Sequence, residues 1–380
     1  MILEQTKEMA AFHRLLQDFV ANEVKPFAQE IDEEERFPLA AAKKMGEIGL
    51  YGIPFPKEYG GAGGTTEMYA LAVSEIAKAC ATTSVVLSAH VSLCEAPIFE
   101  FGTKEQKEKY LPKLITGEWL GAFGLTEPNA GTDASGQQTM AYLDGEEYVL
   151  NGSKIFITNA GYADVYIIFA MTDKSQGVKG ISAFIVEATT PGFSVGKKEK
   201  KMGIRGSSTC ELIFENCRIP KANLLGAEGK GFGIAMKTLD GGRIGIGAQA
   251  LGIAQGALEE TIRYVKERKQ FNRSIASFQN TQFQLADMNT KVEAARLLVQ
   301  QAARAKDIKS KNLAYYAASA KLYASEVAME VTTKAVQLHG GYGFTREYPV
   351  ERMMRDAKIT EIYEGTSEVQ RMVISGTILK

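Results

Sequence analysis

The sequence has 380 residues, of which 45% are hydrophobic and 23% are charged, and its formal net charge is -1. This length exceeds one ordinary domain and suits two or three, and the near-zero charge gives no electrostatic reason to expect a nucleic acid or an anionic membrane as partner. No apolar run approaches the roughly 18 residues of a membrane span, and the first residues lack the apolar core of a signal peptide. We therefore expect a cytoplasmic bacterial protein, with the mitochondrial matrix open as the location of a mature form.

The first segment, residues 1–117, has the apolar spacing of helices. In the stretch 6–24, apolar side chains recur at three- and four-residue intervals, which is the period of a helix with one buried face. Thr103 and Gln106 form the pattern of a capping box at the start of another helix. The segment is predicted to be an N-terminal α-helical domain, with further helices at 39–45, 68–81 and 84–101.

The second segment, residues 118–228, consists of short runs rich in β-branched and aromatic residues. Turn pairs such as Asp144-Gly145 and Asn151-Gly152 separate these runs. The spacing predicts an antiparallel β-sandwich or small barrel rather than βαβ units. The predicted strands are 122–125, 148–150, 154–158, 165–170, 181–186, 193–195 and 209–214.

In the third segment, residues 229–380, the helical period returns and lasts to the end of the chain. Helices of this length in one segment indicate an antiparallel four-helix bundle. The fold class is therefore multi-domain α+β: a helical domain, a middle β domain and a C-terminal helical bundle. The predicted long helices are 234–268, 277–306, 313–338 and 368–378.

Cysteine and histidine are too few and too scattered for a metal site. The four cysteines form no CxxC pair, and the chain has only three histidines. No GxSxG motif supports a serine nucleophile. The chemistry is therefore expected to use a carboxylate and a bound cofactor, with no metal.

Near the C-terminus, Glu364 directly precedes Gly365 and two small hydroxyl residues, Thr366 and Ser367, which begin a helix-like run. Either hydroxyl can cap that run, and the free N–H groups of a first helical turn favour an anion or a ligand oxygen. Gly365 lets the backbone approach a ligand closely. A carboxylate at this place suits removal of a proton beside a carbonyl, although a solvated loop glutamate fits the same stretch.

Two further stretches offer groups for a polar cofactor. The loop 123–135 is dense in Gly, Asn, Thr and Asp, so its free N–H groups suit a pyrophosphate or the edge of a heterocycle. It is not the GxGxxG fingerprint, because no parallel βα unit surrounds it. Phe156 and Thr158 lie two residues apart and therefore on one face of a strand, with a ring to stack and a hydroxyl to donate. On spacing alone, hairpin-end loops with core aromatics are slightly favoured for both stretches.

Six motifs that occur together change this balance. The chain resembles the acyl-CoA dehydrogenase family, and within it the short-chain, butyryl-CoA branch, over nearly its full length. The motifs that carry the resemblance are Phe123-Gly-Leu-Thr-Glu-Pro-Asn-Ala-Gly-Thr132, Phe156-Ile-Thr158, Leu239-Asp-Gly-Gly-Arg243, Glu267-Arg-Lys-Gln-Phe271, Gln337-Leu-His-Gly-Gly-Tyr-Gly343 and Ile362-Tyr-Glu-Gly-Thr-Ser367.

The resemblance implies FAD, held without a covalent bond. The residues that it implies around the flavin and its phosphates are Phe123, Leu125, Thr126, Gly131, Thr132, Phe156, Ile157, Thr158, Thr366, Ser367 and Glu368. A neighbouring subunit is implied to meet the pyrophosphate and adenosine with Arg268, Phe271, Gln279, Gln337, Leu338, His339, Gly340 and Gly341. An arginine and open amides suit a dianionic pyrophosphate.

The resemblance also implies that Glu364 is the base. It takes the α-proton of an acyl-CoA thioester while a hydride leaves the β-carbon for the flavin. The enolate oxygen would be held by the Glu364 N–H and a ribityl hydroxyl, and desolvation should raise the pKa of Glu364. Relatives that act on isovaleryl or long-chain substrates carry their base directly before the arginine, where this chain has Gly242. The implied substrate contacts are Thr132, Asp240, Arg243, Tyr363 and Gly365.

The implied reaction interconverts a short acyl-CoA and its trans-2-enoyl-CoA and exchanges electrons with an electron-transfer flavoprotein. A homotetramer built as a dimer of dimers is implied as well. No motif decides the direction, because the same scaffold serves as an enoyl-CoA reductase in electron-bifurcating complexes. An acyl-CoA oxidase and a non-catalytic helical scaffold are the alternatives. The acyl pocket is expected between the helices near 85–95 and 244–251, at a depth that the sequence does not give.

Overall fold

Helices form the N-terminal part of the computed structural model, which describes residues 7–380. The first helix begins at Lys7, and the predicted start at Thr6 lies outside the described residues. Thr103 accepts a hydrogen bond from the Gln106 N–H while the Gln106 side chain accepts from the Thr103 N–H, so the predicted capping box is confirmed. The helices are α1 Lys7–Phe19, α2 Ala28–Glu33, α3 Leu39–Glu47, α4 Thr66–Ala79, α5 Ala81–Ala89, α6 Ala96–Phe101 and α7 Lys104–Ile115.

The most apolar helix of this part is α5, which continues through a π-helical turn, His90–Glu95, into α6. The continuous helix Ala81–Phe101 has 21 residues and a mean hydropathy of 1.2, which is long and apolar enough for a membrane span. The prediction that no run reaches that length is therefore not confirmed. In the most apolar 18-residue stretch of this helix, 78% is buried inside the protein. The high hydropathy is therefore typical of a helix that is surrounded by other helices.

One eight-stranded sheet forms the middle of the chain, in the order β6-β7-β3-β2-β4-β5-β8, with β1 beside β4. The neighbours are antiparallel as predicted, except that β4 pairs in parallel with β1 and, at one residue pair, with β2. The strand β2 was not predicted, because only one of its five residues is buried and its pattern is irregular. The strands are β1 Gly121–Gly124, β2 Met140–Asp144, β3 Glu147–Thr158, β4 Val165–Met171, β5 Ile181–Glu187, β6 Phe193–Lys198, β7 Thr209–Pro220 and β8 Leu224–Leu225.

Long helices return after the sheet, and the three-part α, β, α architecture predicted from the sequence is confirmed. The helix α10 packs against α8, α9, α12 and α13, so it runs through the middle of the bundle. A two-stranded hairpin and the helix α12 were not predicted. The elements are α8 Gly231–Glu267, β9 Lys269–Gln270, β10 Arg273–Ser274, α9 Gln279–Asp307, α10 Leu313–His339, α11 Gly341–Phe344, α12 Val350–Ile359 and α13 Ser367–Ile378.

The π-helical turn between α5 and α6 contains a buried carboxyl without a hydrogen-bond partner. Glu95 is fully buried, and neither of its oxygens has a hydrogen-bond partner. The Nε2 atom of His90 is 3.3 Å from Glu95 Oε1 but is directed to the Leu114 carbonyl at 3.0 Å, while His90 Nδ1 accepts from the Gly121 N–H. Burial raises the pKa of the Glu95 carboxyl, and His90 opposes this only in part.

We therefore expect Glu95→Gln to raise the melting temperature at about pH 7.5 by a few °C. A carboxyl whose pKa is raised in the folded state contributes stability below its ordinary value of 4.5 and loses it as the pH rises. The gain in the variant should vanish when the melting temperature is measured near that value. Glu108→Gln, at an exposed position, is the control. A lower melting temperature of the Glu95 variant at about pH 7.5 would contradict this account.

Candidate active site

The acid singled out by the sequence lies on a left-handed turn between α12 and α13. Glu364 has a φ of 55° and Gly365 a φ of 93°. A non-glycine residue in this region costs about 1–3 kcal/mol and persists only where its surroundings hold it. Gln370 Nε2 donates to the carbonyls of Glu364 at 3.2 Å and Gly365 at 2.8 Å, and Lys321 Nζ donates to the Gly365 carbonyl at 2.8 Å. Thr366, one of the two predicted caps, accepts from the Val369 N–H and caps α13.

The carboxyl of Glu364 points into the protein. Its Oε2 atom is buried and has no hydrogen-bond partner. Burial raises the pKa of Glu364 to about 7, against the opposing charges of Lys321 and Arg243. The reading of this residue as a solvated loop glutamate is therefore wrong. A carboxyl with this pKa exists in both protonation states at neutral pH, as a general acid–base group requires.

The space for this carboxyl exists because α8 has a glycine directly opposite. A Cβ atom on Gly242 would fall far inside contact distance of Glu364 Oε2, 2.7 Å from Glu364 Cδ and 3.0 Å from Leu93 Cδ2. The Glu364 carboxyl thus occupies the place that a side chain at position 242 would need. One helical turn further, a Cβ on Gly245 would lie 2.7 Å from the hydroxyl of Tyr69.

Polar side chains lie near the Glu364 carboxyl on the α8 side, although none forms a hydrogen bond with its buried Oε2 atom. Arg243 is 5% exposed, its Nη1 donates to Asp240 Oδ1 at 2.5 Å, and its buried Nε has no partner. The predicted pair Asp240–Arg243 therefore exists beside the turn, with donor capacity left for a ligand. The Tyr363 hydroxyl donates to Gln249 Oε1, and its predicted contact with the substrate stays a prediction.

The first predicted cofactor loop, which follows β1, is held by a buried ion pair. Lys154 Nζ donates to Glu127 Oε1 at 2.7 Å, and the same carboxylate accepts from the N–H groups of Gln138 and Thr139. Burial lowers the pKa of Lys154 to about 8, opposed by Glu127. The loop is thus fixed at both ends while its tip is open. Phe123 and Thr126 are half-buried, and Gly131 and Thr132 are exposed.

In the second stretch, a β-bulge interrupts the regular alternation of β3 at Phe156. The register with β7 shifts between Lys154 and Ile157, and Phe156 has a φ of 61°. Phe156 is 60% exposed and Thr158 is half-buried. Ile157 and Leu125, two of the predicted flavin contacts, are buried in the hydrophobic core, and their contact with a flavin stays a prediction.

The start of α13, shortly after Glu364 in the chain, carries further polar groups. The Ser367 hydroxyl is buried without a partner, and Glu368 is exposed at the first turn. An open aromatic ring, free hydroxyls, an open loop and a helix N-terminus fit a flat heterocycle with an anionic chain. The residues predicted for the flavin end of FAD therefore fit that group.

The remaining predicted cofactor residues form a second cluster at the far end of α10. The Arg268 guanidinium lies 5.4 Å from the Tyr342 ring centre, and Tyr264 stacks on His339 at 4.2 Å. The His339 ring is buried, with Nδ1 at 2.7 Å from the Ala335 carbonyl oxygen, and its main-chain carbonyl accepts from the Tyr264 hydroxyl. The open members are Phe271, Gln279, Gln337, Gly340 and Gly341, with Leu338 half-buried. Lys321 and His339 are 18 residues apart on α10, which is about 27 Å along the axis.

Sequence reasoning missed the buried polar residues that support the site, namely Lys321, Gln370, Gln249, Lys154 and Glu127. A signal for Lys321 was present in the helical period. The positions three and four residues away are the buried Ala317, Ala318, Ala324 and Ser325. Lys321 therefore lies on the buried face of α10, where an unpaired lysine is rare.

Three family models match the chain in order: the acyl-CoA dehydrogenase N-terminal domain at residues 6–118, the middle domain at 122–217 and the C-terminal domain at 229–379. The chain is 62% identical over 377 residues to a short-chain specific acyl-CoA dehydrogenase of Clostridium acetobutylicum, which covers 99% of both. Its fold is similar to the solved butyryl-CoA dehydrogenase from Megasphaera elsdenii, with a TM-score of 0.98, 53% identity and 100% of both chains covered. A chain in a solved structure on the electron transferring flavoprotein of Acidaminococcus fermentans has a TM-score of 0.98 and 56% identity, again over 100% of both chains.

We expect Gly242→Ala to displace the Glu364 carboxyl without unfolding the protein, because the added methyl group meets mainly the far end of a flexible side chain. A crystal structure should show the carboxyl turned away from α8, and the melting temperature should change little. Gly233→Ala is the matched control, since nothing lies within 4 Å of that position in the same helix. The control should stabilise the helix by up to about 1 kcal/mol and leave Glu364 in place. An unmoved carboxyl in Gly242→Ala would contradict the geometry.

Proposed function

The chain belongs to the acyl-CoA dehydrogenase family, and from this premise we propose that it interconverts a short-chain acyl-CoA and its trans-2-enoyl-CoA. The observation that carries the proposal is the Glu364 carboxyl, whose Oε2 atom is buried without a partner, which lies on a strained turn and whose pKa is raised to about 7. Strain and a shifted pKa at one buried group mark a catalytic acid–base site.

FAD is the cofactor of this family, and when bound it accepts the hydride that leaves the β-carbon of the thioester. Phe156, Thr158 and Thr126 would hold its ring, and the loop around Thr132 would offer its amides to the pyrophosphate. The N-terminus of α13 lies on the same side as Glu364 and adds a positive partial charge. Together these groups would orient the substrate's reacting carbons between the cofactor and Glu364.

Glu364 performs the proton transfer. Its carboxylate takes the α-proton in the dehydrogenase direction, and its protonated form returns a proton to the α-carbon in the reductase direction. Among residues 7–380, no protein group accepts a hydrogen bond from the Glu364 N–H. That N–H is therefore available to the thioester oxygen, where negative charge develops as the α-proton leaves.

The packing of α8 favours a short acyl chain. A chain that starts opposite Gly242 and follows α8 meets the Tyr69 hydroxyl at Gly245, three residues or about 4.5 Å along the helix. The Tyr69 hydroxyl is itself fixed near the Ser88 oxygens, 3.3 Å away. The distance leaves room for only a few carbon atoms. Arg243 and Asp240 are placed to bind the CoA side.

The electrons pass between the bound flavin and an electron-transfer flavoprotein. A second copy of the chain, as in the predicted homotetramer, is supported by the cluster around Arg268, which lies too far along α10 to share the ligand held near Glu364 of the same chain. Phe271 and Phe344 are 88% and 87% exposed beside this cluster, and large exposed aromatics in one place indicate an interface. We infer that the Arg268 cluster completes the cofactor site of a second copy.

Addition of butyryl-CoA to the flavin-loaded protein without oxygen is expected to bleach the flavin absorbance. Glu364→Gln should keep the flavin and bind the thioester, yet slow the bleaching by about 100- to 10,000-fold, because the amide cannot take the α-proton. Glu47→Gln, which loses an exposed ion pair with Lys44 on α3, should bleach like the parent. Fast bleaching in Glu364→Gln would overturn the assignment, and rapid peroxide formation in air would favour an oxidase.

The pH dependence of the same reaction should follow Glu364. Because burial raises its pKa to about 7, kcat/KM for dehydrogenation should rise about tenfold per pH unit below the midpoint and level off above it. The rate of enoyl-CoA reduction should fall over the same range, since that direction needs the protonated acid. Stopped-flow measurements from about pH 5.5 to 8.5 check both limbs. A flat profile would exclude Glu364 as the titrating group.

A further inference from the structure

Lys321, in the middle of α10, is completely buried, although lysine is among the residues least often found inside proteins. Its ammonium has three donors, and its one hydrogen bond among the described residues goes to the Gly365 carbonyl at 2.8 Å. Within residues 7–380 it forms no ion pair of 4 Å or less with a carboxylate. The removal of such a charge from water is costly, so its retention requires a compensating interaction.

Glu364 supplies that compensation. It is the strongest of the charges that stabilise the Lys321 ammonium, ahead of Glu361 and Glu368, while Arg243 opposes them. Lys321 is in turn the strongest of the charges that favour the ionised form of Glu364. The carbonyl to which Lys321 donates belongs to Gly365, directly after Glu364. The Lys321 ammonium therefore interacts with both the backbone of this turn and the charge of the Glu364 carboxyl.

We propose that Lys321 is a positioning residue for Glu364: its ammonium fixes the left-handed turn through the Gly365 carbonyl and supplies the cationic charge that keeps the buried carboxyl available as a base. The role extends the proposed function, because it takes Glu364 as the group that moves the proton. Lys321 itself touches neither the reacting carbons nor the cofactor in this scheme.

The other charged groups around Glu364 do not replace Lys321. Arg243, on α8, is bonded to Asp240, which offsets its charge. Tyr69, on α4, and Tyr363, beside Glu364, are neutral phenols whose pKa values are raised by burial. Burial lowers the pKa of Lys321 to about 8, which still leaves most of it charged at neutral pH. Of the two cations near Glu364, Lys321 is therefore the one whose charge is not offset by an ion pair with a carboxylate.

The test separates the charge of Lys321 from its hydrogen bond. Lys321→Met removes both, Lys321→Gln keeps a donor for the Gly365 carbonyl but removes the charge, and Lys321→Arg restores both. Lys334→Met, which loses only a surface ion pair with Glu330 on the same helix, is the control. The titration of Glu364 is followed directly by infrared difference spectroscopy of the carboxyl band, identified by its loss in Glu364→Gln.

The carboxyl midpoint of the parent is expected near 7, and in the Met and Gln variants it should rise by on the order of one unit or more. The rate of flavin reduction by butyryl-CoA at neutral pH should fall about tenfold with little change in KM, and the pH–rate profile should shift in parallel. The Arg variant and the control should keep the parent midpoint. If Met does not fold, the Gln variant alone decides.

An unchanged midpoint in folded Lys321→Gln would overturn the proposal, as would a drop in rate in Lys321→Arg as large as in Lys321→Met. Failure of the proposed function has a different signature. In that case Glu364→Gln still reduces its flavin, whereas the infrared titration continues to report whether Lys321 controls the carboxyl.

Discussion

The structure depends on one constraint, the placement of an ionisable carboxyl on a left-handed turn inside the protein. Glu364 adopts a backbone conformation that costs about 1–3 kcal/mol, and its carboxyl has no hydrogen-bond partner. Neither feature is stable on its own. Gln370 and Lys321 hold the two carbonyls of the turn, and the Thr366 cap fixes the helix that follows. The position of the proposed base is therefore set by the junction between α12 and α13, with support from α10.

Glycines on α8 make room for this arrangement. Glycine lowers helix stability by about 1 kcal/mol at each position, yet α8 has several along 37 residues. Gly252 lies against the backbone of Ser74 in α4, and Gly247 faces the backbone of α10 at Lys321. The same close approach at Gly242 brings the Glu364 carboxyl onto the helix. The glycines of α8 thus serve two purposes. Their missing Cβ atoms let the helices pack closely, and at Gly242 the same absence leaves space for the Glu364 carboxyl.

The sequence predicts the parts of this site that follow from period and turn chemistry. Helical spacing, the capping box at Thr103 and the hydroxyl at Thr366 depend on local rules, and each has its predicted structure. The irregular strand β2 and the supporting lysines could not be predicted in the same way. Lys321 and Lys154 are polar residues on buried faces, and their partners are 44 and 27 positions away in the chain. The hydrophobic period of the sequence indicates that such a residue is buried, but only the tertiary structure shows which group it contacts.

The balance of burial and charge at Glu364 suits the proposed base to both directions of the proposed reaction. Burial alone would keep the carboxyl protonated, so it could donate but not accept a proton. Cations alone would hold it ionised and make it a weak base. The opposition of the two effects brings the pKa to about 7, where the forms that accept and return a proton are both populated. The protein base then does not choose between dehydrogenation and reduction. That choice falls to the redox partner that fills or empties the flavin.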